Sequence, residues 1–358
     1  MTVPPILCIV GPSNSGKTTL LERVIPLLSA GGLKVGVVKQ CASGLSMGPA
    51  GKDSSRLAAA GARPAVAVAP DGLLVHSAEA AAPLLDVAAN FCAACDLVLA
   101  EGYKRSPHDK ILVLAGDGSS PQKADVPAVR LVVGGAAEGS GGPAGPDDAA
   151  AVAEWVRQWL DRRRRLRCGV AGAILVGGRS RRMGFDKAAL ALEGRPVLVR
   201  LAELLAGWLG EVWVIGRPVA AVGLPQCVRW HLDLRPDCGP LGGIATALRV
   251  AAGRSPRAVL AVACDMPALG GELLDYLLEH RRPDRPVSAL CHPVSGQLEP
   301  LAAVYEPQSL AAIEQALDAG RLSVRSLLES AGAHGIDLPP ALAGQLANVT
   351  TPDDLKTV

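Results

Sequence analysis

The sequence predicts an α/β protein with two doubly wound sheets in tandem. Three observations carry this. Short β-rich runs alternate with longer helical patterns along the whole chain. Two separate glycine-rich loops, at 11–16 and 177–184, each follow a buried-strand pattern. After a Gly/Pro-rich stretch and an amphipathic helix, a new buried strand begins just past residue 166. The expected units are therefore 1–165 and 166–358.

Taken in order, Ile6–Val10 is the first buried strand, and an amphipathic helix runs from Lys17 to about Ala30. Lys34–Lys39 reads as a second strand, and Val66–Ala69 with Leu73–His76 as a hairpin around Pro70-Asp71-Gly72. Asp96–Ala100, Ile111–Leu114 and Arg130–Val133 are further strands. Gly134–Pro146 is too rich in Gly and Pro for regular structure. Asp147 and Asp148 are placed to cap a helix carrying Val152, Trp155, Val156 and Trp159 on one face, which is expected to pack on the first unit. In the second unit, Val170–Val176 is a strand, Pro196–Trp208 a helix, and Glu211–Ile215 and Val259–Ala263 are strands.

Composition narrows the function. The 358 residues are 49% hydrophobic and 20% charged, enough for two buried cores. The net charge of +2 creates no global field for nucleic acid or a membrane surface. No apolar run approaches the roughly 20 residues that span a bilayer, and the stretch Ile6–Val10, without a basic leader, is too short for a signal peptide. Nine cysteines spread thinly suit a reducing cytoplasm better than a disulfide framework. With five Trp, three Tyr and two Phe, the cores must be mainly aliphatic.

The first loop, Gly11-Pro12-Ser13-Asn14-Ser15-Gly16-Lys17-Thr18, fits G-x-x-x-x-G-K-[ST] between a strand and a helix. Its glycines let several backbone N–H groups face one anion at a helix N-terminus. Lys17 is expected on the β/γ-phosphates and the Thr18 hydroxyl on Mg²⁺. The nucleotide set is then Gly11, Asn14, Ser15, Gly16, Lys17, Thr18 and Thr19. A distant acid is needed near the metal. Glu101, at a strand's C-terminal end, is the candidate, while Asp96 reads as a strand-entry residue.

The stretches GPSNSGKTTLLERVIPLL, GLKVGVVK, GKDSSRLAAAGA and DLVLAEGYKRSPHDKI resemble the GTP-binding adaptor of molybdopterin-guanine dinucleotide biosynthesis over residues 5–165. Gly51-Lys52-Asp53-Ser54 and Glu101-Gly102-Tyr103-Lys104 make the match specific. The resemblance implies a P-loop NTPase-like fold, GTP binding, weak hydrolysis at best and an accessory role. Where that family has a histidine and an acid after V-V-K, this chain has Gln40 and Cys41, and the loop that follows is poor in acids.

The second loop, Leu175-Val176-Gly177-Gly178-Arg179-Ser180-Arg181-Arg182-Met183-Gly184-Phe185-Asp186-Lys187, lacks G-K-[ST]. Gly177 and Gly178 admit close backbone approach to a base or phosphate. Arg182 and Lys187 can neutralise a triphosphate and a leaving pyrophosphate. Asp265, between the strand 259–263 and Pro267, is placed to hold Mg²⁺ between phosphates. Asp233 precedes the glycine turn at 238–243 and can bond a guanine or ribose edge, whereas Asp237 suits a turn cap.

With CDMP, GPLGG, Leu298-Glu299-Pro300-Leu301-Ala302-Ala303-Val304-Tyr305 and the tail at 348–355, this half resembles the molybdenum cofactor guanylyltransferase family from about residue 170 to 358. The resemblance implies a Rossmann-like nucleotidyltransferase fold that joins GMP from GTP to molybdopterin. It places Leu175, Val176, Gly177, Gly178, Lys187, Asp233 and Asp265 on GTP, Asp265 on the metal, and Asn348 on the pterin side. Where the family has an asparagine, this chain has Ile215, which moves a base or ribose contact toward Gly216 or Arg217. Molybdenum-insertion proteins and apo-molybdoenzymes are the protein partners implied, and a homo-oligomer stays open. Transfer of a cytidylyl group or to a sugar phosphate is the competing enzymatic reading, and a nucleotide-gated delivery scaffold is the non-enzymatic one.

Other features are read as structural. Cys92-Ala93-Ala94-Cys95 lies in an expected helix, 84–95, with its cysteines facing the core. His231 is expected to be packed or at the surface, and Trp155, Trp159, Trp208 and Trp213 in the core. Arg162–Arg165 could form an anion patch, but a solvated helix end, suited to the dipole, is preferred.

Overall fold

The computed structural model describes residues 3–41, 65–69, 72–76, 83–115, 126–134, 148–177, 191–192, 194–218, 223–253 and 258–349. Gly178, Arg182 and Lys187, the Gly51–Ser54 motif and most of the 134–146 loop lie outside them.

The first sheet has five parallel strands in the order β2 (Val35–Lys39), β5 (Leu97–Glu101), β1 (Ile6–Val10), β6 (Lys110–Val113) and β7 (Val129–Val133). The apolar run ILCIV, and LVLA with its terminal Glu101, are fully buried, as strands covered on both faces require. Helix α1 (Lys17–Ala30) buries Leu20, Leu21, Val24 and Leu28 on one stripe against one face. The hairpin β3 (Ala65–Ala69) and β4 (Gly72–His76) pairs antiparallel, Ala69 opposite Gly72, as its turn signal predicts. A shorter helix, α2 (Leu84–Phe91), stops before the cysteine pair, so Cys95 sits in the turn after it rather than in the expected helix.

Helix α3 (Ala149–Arg167) is capped by Asp148, whose Oδ1 accepts from the Ala151 amide at 3.2 Å. It packs on α1, burying Val152, Val156, Trp159 and Leu160 with the first sheet. Two residues later β8 (Val170–Val176) opens the second sheet.

That sheet has seven strands, in the order β12 (Val228–His231), β11 (Val212–Gly216), β8, β13 (Ala258–Ala263), β15 (Leu298–Tyr305), β14 (Val287–Cys291) and β16 (His334–Asp337). Only β15 runs antiparallel to its neighbours. A two-residue hairpin joins β9 (Ala191–Leu192) to β10 (Arg195–Pro196). Helices α4 (Val197–Leu209) and α6 (Gly271–Glu279) lie toward the first sheet. On the other face are α5 (Gly239–Ala252), α7 (Ser309–Asp318) and α8 (Val324–Ser330), before a 3-10 turn at Pro340–Leu346.

Each unit buries one face of its sheet in an apolar cluster of its own, and a third cluster is shared between them. One apolar cluster runs from Cys8, Val98, Ala100 and Leu112 of the first sheet, through Leu198, Leu201 and Leu205 of α4, to Ile174 and Val176 of the second. Removing this apolar surface from water favours keeping the halves together.

A charged box lies in that layer. Arg163 of α3 donates to Asp275 Oδ1 of α6 at 2.7 Å and also to Asp109 Oδ2. Arg130 of β7 donates to Asp109 Oδ1 at 2.8 Å and to Asp275 Oδ2 at 2.9 Å. The indoles of Trp159 and Trp208 donate to Asp109 and Asp275 at 2.8 and 3.1 Å. The Arg163 guanidinium stacks 4.1 Å from the Trp208 ring centroid. Arg163 departs from the sequence expectation of a solvated helix end. Arg162 pairs with Glu279 at 2.7 Å and Arg164 with Asp96 at 2.6 Å, so three of the four bond named acids. Arg164 and Arg165 stay exposed at the helix end, as expected, whereas Arg163 is buried, because α6 brings to it a carboxylate that sequence distance had hidden.

Candidate functional sites

The first site forms at the C-terminal ends of β1, β2 and β5. Gly11 must be glycine here, since a Cβ would collide with the Val113 carbonyl oxygen, and its φ is +154°. Gly16 takes φ +86° just before α1, and Asn14 turns through φ +62°. Ser15 is buried, and its Oγ has no hydrogen-bond partner among the described residues. Thr18 and Thr19 are exposed on the first turn of α1.

Lys17 folds back onto its own loop. Its Nζ donates to the Gly11 carbonyl at 3.1 Å and to that of Pro12. Partial burial lowers its pKa, with Glu101 opposing and the Lys39 charge adding to the shift. Thr18 Oγ1 donates to Glu101 Oε2 at 2.9 Å. The two residues that sequence reasoning assigned to a metal are thus neighbours. Asp96 instead closes the sheet edge, accepting from the Lys34 amide at 2.9 Å and from Arg164, as a strand-entry residue does.

Sequence reasoning missed Lys39. Its Nζ lies 3.1 Å from Glu101 Oε1 and 3.3 Å from Thr18 Oγ1. A lysine at the C-terminal end of a predicted strand was the available signal. Only the pairing of β2 with β5, which sets Lys39 opposite Glu101, turns it into a site residue.

The second site forms along one edge of the seven-stranded sheet. The register aligns His231, Ile215, Leu175 and Ala263 across four parallel strands. The segments leaving those strands, Leu232–Arg235, Gly216–Arg217, Gly177 and Cys264–Asp265, therefore emerge side by side. Leu175 and Val176 are buried, and Leu175 packs against Gly243 of α5, so both carry the turn rather than offering side chains to a ligand. At Gly177 (φ +148°) a Cβ would meet nothing within 4 Å among the described residues, leaving an open cradle on that side. Gly216 is the opposite case: a Cβ there would strike the Val176 carbonyl. Its own carbonyl accepts from Trp230 Nε1 at 2.8 Å.

Asp233 Oδ1 accepts from Thr246 Oγ1 and from the Arg235 amide, both at 2.9 Å. This ties the loop to α5 and fixes the carboxylate. Asp237 adopts φ +64° at the turn into α5. Asp265 is half-buried, and its carbonyl accepts from the Val349 amide at 2.9 Å. That bond draws the exposed Asn348 beside the same strand end. His231 meets the buried Trp213 edge-on, centroids 6.2 Å apart, as a packed histidine does. Glu299, facing the same edge from β15, has its carboxyl raised by burial, with Arg325 and His292 opposing. Among the described residues, no cluster of three or more His, Cys, Asp or Glu is arranged to hold a metal ion.

Comparison with known proteins finds two different families along the chain. A family model described as "MobA-like NTP transferase domain" matches residues 172–335, and one described as "Molybdopterin guanine dinucleotide synthesis protein B" matches 6–133. A "Probable molybdenum cofactor guanylyltransferase" from Chloroflexus aggregans is 35% identical over 200 residues, covering 53% of this chain and 93% of that protein. A "Molybdenum cofactor biosynthesis bifunctional protein" from Synechocystis sp. is 29% identical over 184 residues, or 51% of this chain and 52% of that protein. A crystal structure of "molybdopterin-guanine biosynthesis protein B (mobB)" superposes on 44% of this chain and 99% of its own, at 29% identity and TM-score 0.35. The chain belongs to the molybdenum cofactor guanylyltransferase family, a nucleotidyltransferase preceded in the same polypeptide by a MobB-like P-loop unit.

Proposed function

We propose that the second unit transfers GMP from GTP to molybdopterin, releasing pyrophosphate, and that the first binds GTP as an accessory module. The observation that carries the reading is the level row of strand ends. It sets the open Gly177 cradle between the fixed carboxylate of Asp233 and that of Asp265. The unit boundary is proposed at 165–166, in the last turn of α3.

In this reading the terminal phosphate oxygen of molybdopterin attacks the α-phosphorus of GTP. The bond from that phosphorus to the bridging oxygen breaks, and pyrophosphate leaves with the electron pair. The nucleophile is already anionic at neutral pH, so no strong general base is required. The barrier is the approach of like charges and the charge developing on the leaving oxygens. Gly177 and Gly178 bring main-chain N–H groups to the nucleotide, Asp233 holds a base or ribose edge, and Arg182 and Lys187 neutralise the phosphates. Asn348 faces the pterin. A single carboxylate beside an open cradle suits Mg²⁺, which keeps most of its coordination for water and substrate phosphate. When bound on Asp265, that ion would supply charge neutralisation between the reacting phosphates. In the P-loop unit the orphaned Ser15 hydroxyl and the Thr18–Glu101 pair likewise fit a metal-bound triphosphate. In the same reading the reaction is cytoplasmic. No described helix is long and apolar enough to cross a membrane, and none of the nine cysteines is in a disulfide.

Incubating the full chain with Mg²⁺, molybdopterin and each nucleoside triphosphate in turn, and following pyrophosphate, tests the reading. Release with GTP alone is expected. Release with CTP alone would establish the cytidylyl alternative, and release with none a delivery scaffold. Asp265→Ala and Lys187→Ala should each lower the rate by about 10²–10³-fold. Near-normal turnover in either variant rejects its assignment.

A further inference from the structure

Lys39, Thr18 and Glu101 form a closed triangle in the P-loop unit. The Thr18 hydroxyl donates to one carboxylate oxygen of Glu101 at 2.9 Å, and the Lys39 ammonium sits 3.1 Å from the other. The same ammonium donates to Thr18 Oγ1 at 3.3 Å. It therefore engages both oxygen groups that a divalent ion would need. The P-loop lysine, Lys17, is directed elsewhere, onto the carbonyls of its own loop.

The placement of Lys39 is built by the backbone. Lys39 and Glu101 are register partners on adjacent parallel strands. Directly beyond them, the Gln40 amide donates to the Glu101 carbonyl at 2.9 Å, and Gln40 Oε1 accepts from the Tyr103 amide at 2.8 Å. Gly102, at φ +97°, leaves the room in which the Gln40 side chain lies. The ends of β2 and β5 are thus stitched together around the ion pair. Gln40 stands where the resembling family has a histidine, so this chain uses a neutral clamp beside the lysine.

We propose that Lys39 is a tethered counter-cation that competes with the divalent metal for Thr18 and Glu101. Two cations cannot share the same two oxygens at these distances without strong repulsion. Metal can enter only as the ammonium leaves. Half of the Lys39 side chain is solvent-exposed, so it can swing out without unfolding the strand. Released there, its charge stays at the mouth of the loop that would hold the triphosphate. The Glu101 carboxylate is then paired when the site is empty, and metal enters together with the anion that compensates for it. This inference rests on the P-loop reading above.

The test is Mn²⁺ binding to the full chain, followed by electron paramagnetic resonance without nucleotide. Lys39→Gln and Lys39→Met should each bind Mn²⁺ about 5-fold more tightly than the parent, the upper range for a partly exposed ion pair. Lys39→Arg should match the parent. Adding Glu101→Gln to Lys39→Gln should erase the gain, which locates the ion. Unchanged or weaker Mn²⁺ binding in both neutral variants, with circular dichroism intact, overturns the proposal. So does a gain that survives Glu101→Gln. A separate titration with a fluorescent GTP analogue distinguishes the two ideas. If the Mn²⁺ shift appears but no nucleotide binds, competition stands and the nucleotide-binding reading falls.

Discussion

Two carboxylate–cation clusters stand at the two ends of the segment 101–109, and they do different things. Glu101 with Lys39 and Thr18 faces the nucleotide edge, with the Lys39 side chain 51% exposed. Asp109 with Arg130, Arg163 and Asp275 lies between the two sheets, with Arg163 only 6% exposed. The chemistry of the groups is similar, but the solvent is not. Water at the first cluster offers the lysine an alternative partner, and Thr18 still donates to Glu101, so the pair can open. At the second, every lost bond leaves a charge stranded in hydrocarbon between two indoles. The end of β5 thus sets one acid at a solvent-facing edge, and the loop entering β6 sets the other in a buried joint.

The largest effect should come from the joint. Asp275→Ala leaves Arg163 and Arg130 without half of their acceptors and Trp208 Nε1 without its own. We expect a loss of about 3–5 kcal/mol in denaturant unfolding. An unchanged midpoint would show that the shared apolar layer alone holds the units together.

His108 gives the same joint a pH dependence. Its ring packs against α4, where a Cβ on Gly207 would come within 2.5 Å of it. Burial first, and then the Lys110 charge, pushes its pKa from 6.5 down to about 3, with Asp109 opposing. The folded protein therefore holds it neutral while the unfolded chain protonates it. Its contribution is fully present above pH 6.5 and is lost as the pH falls from there toward 3, by about 1.4 kcal/mol per unit. Urea midpoints at pH 7, 5.5 and 4.5 should show this slope, and His108→Gln should flatten it. Asp109 adds loss at lower pH. Burial raises its carboxyl, but Arg163 and Arg130 outweigh that and hold it below 3.8, so its share disappears as pH falls through the folded value.

The smallest effect should be at the exposed cluster. Lys39→Gln should change stability by less than about 1 kcal/mol. A larger loss would make Lys39 a structural tie like Arg163, and the contrast between the clusters would vanish.

Much of the architecture was legible beforehand. Hydrophobic runs marked β1, β5, β8 and β13, and glycine signatures marked both loops, because burial on two faces and backbone curl around an anion leave few residue choices. Glu101 and Asp265 stood out because an acid at the end of an apolar run has few reasons to be there. Lys39 and the Arg130–Asp109–Arg163–Asp275 box did not. A lysine after V-V and an aspartate on an amphipathic helix are ordinary until a partner is known.

The sequence by itself determined the local conformations: which segments are strands, where the chain must turn at Gly11 and Gly177, and that two such turns exist. Those are short-range matters of sterics and hydrophobic period, written in adjacent residues. Only the tertiary structure decided that the two sheets share one apolar layer, that Arg163 is buried in it, and that Lys39 rests on Glu101. The physical reason is that strand order and helix docking bring together groups separated by tens of residues, and an ion pair's worth depends on how much water remains around it.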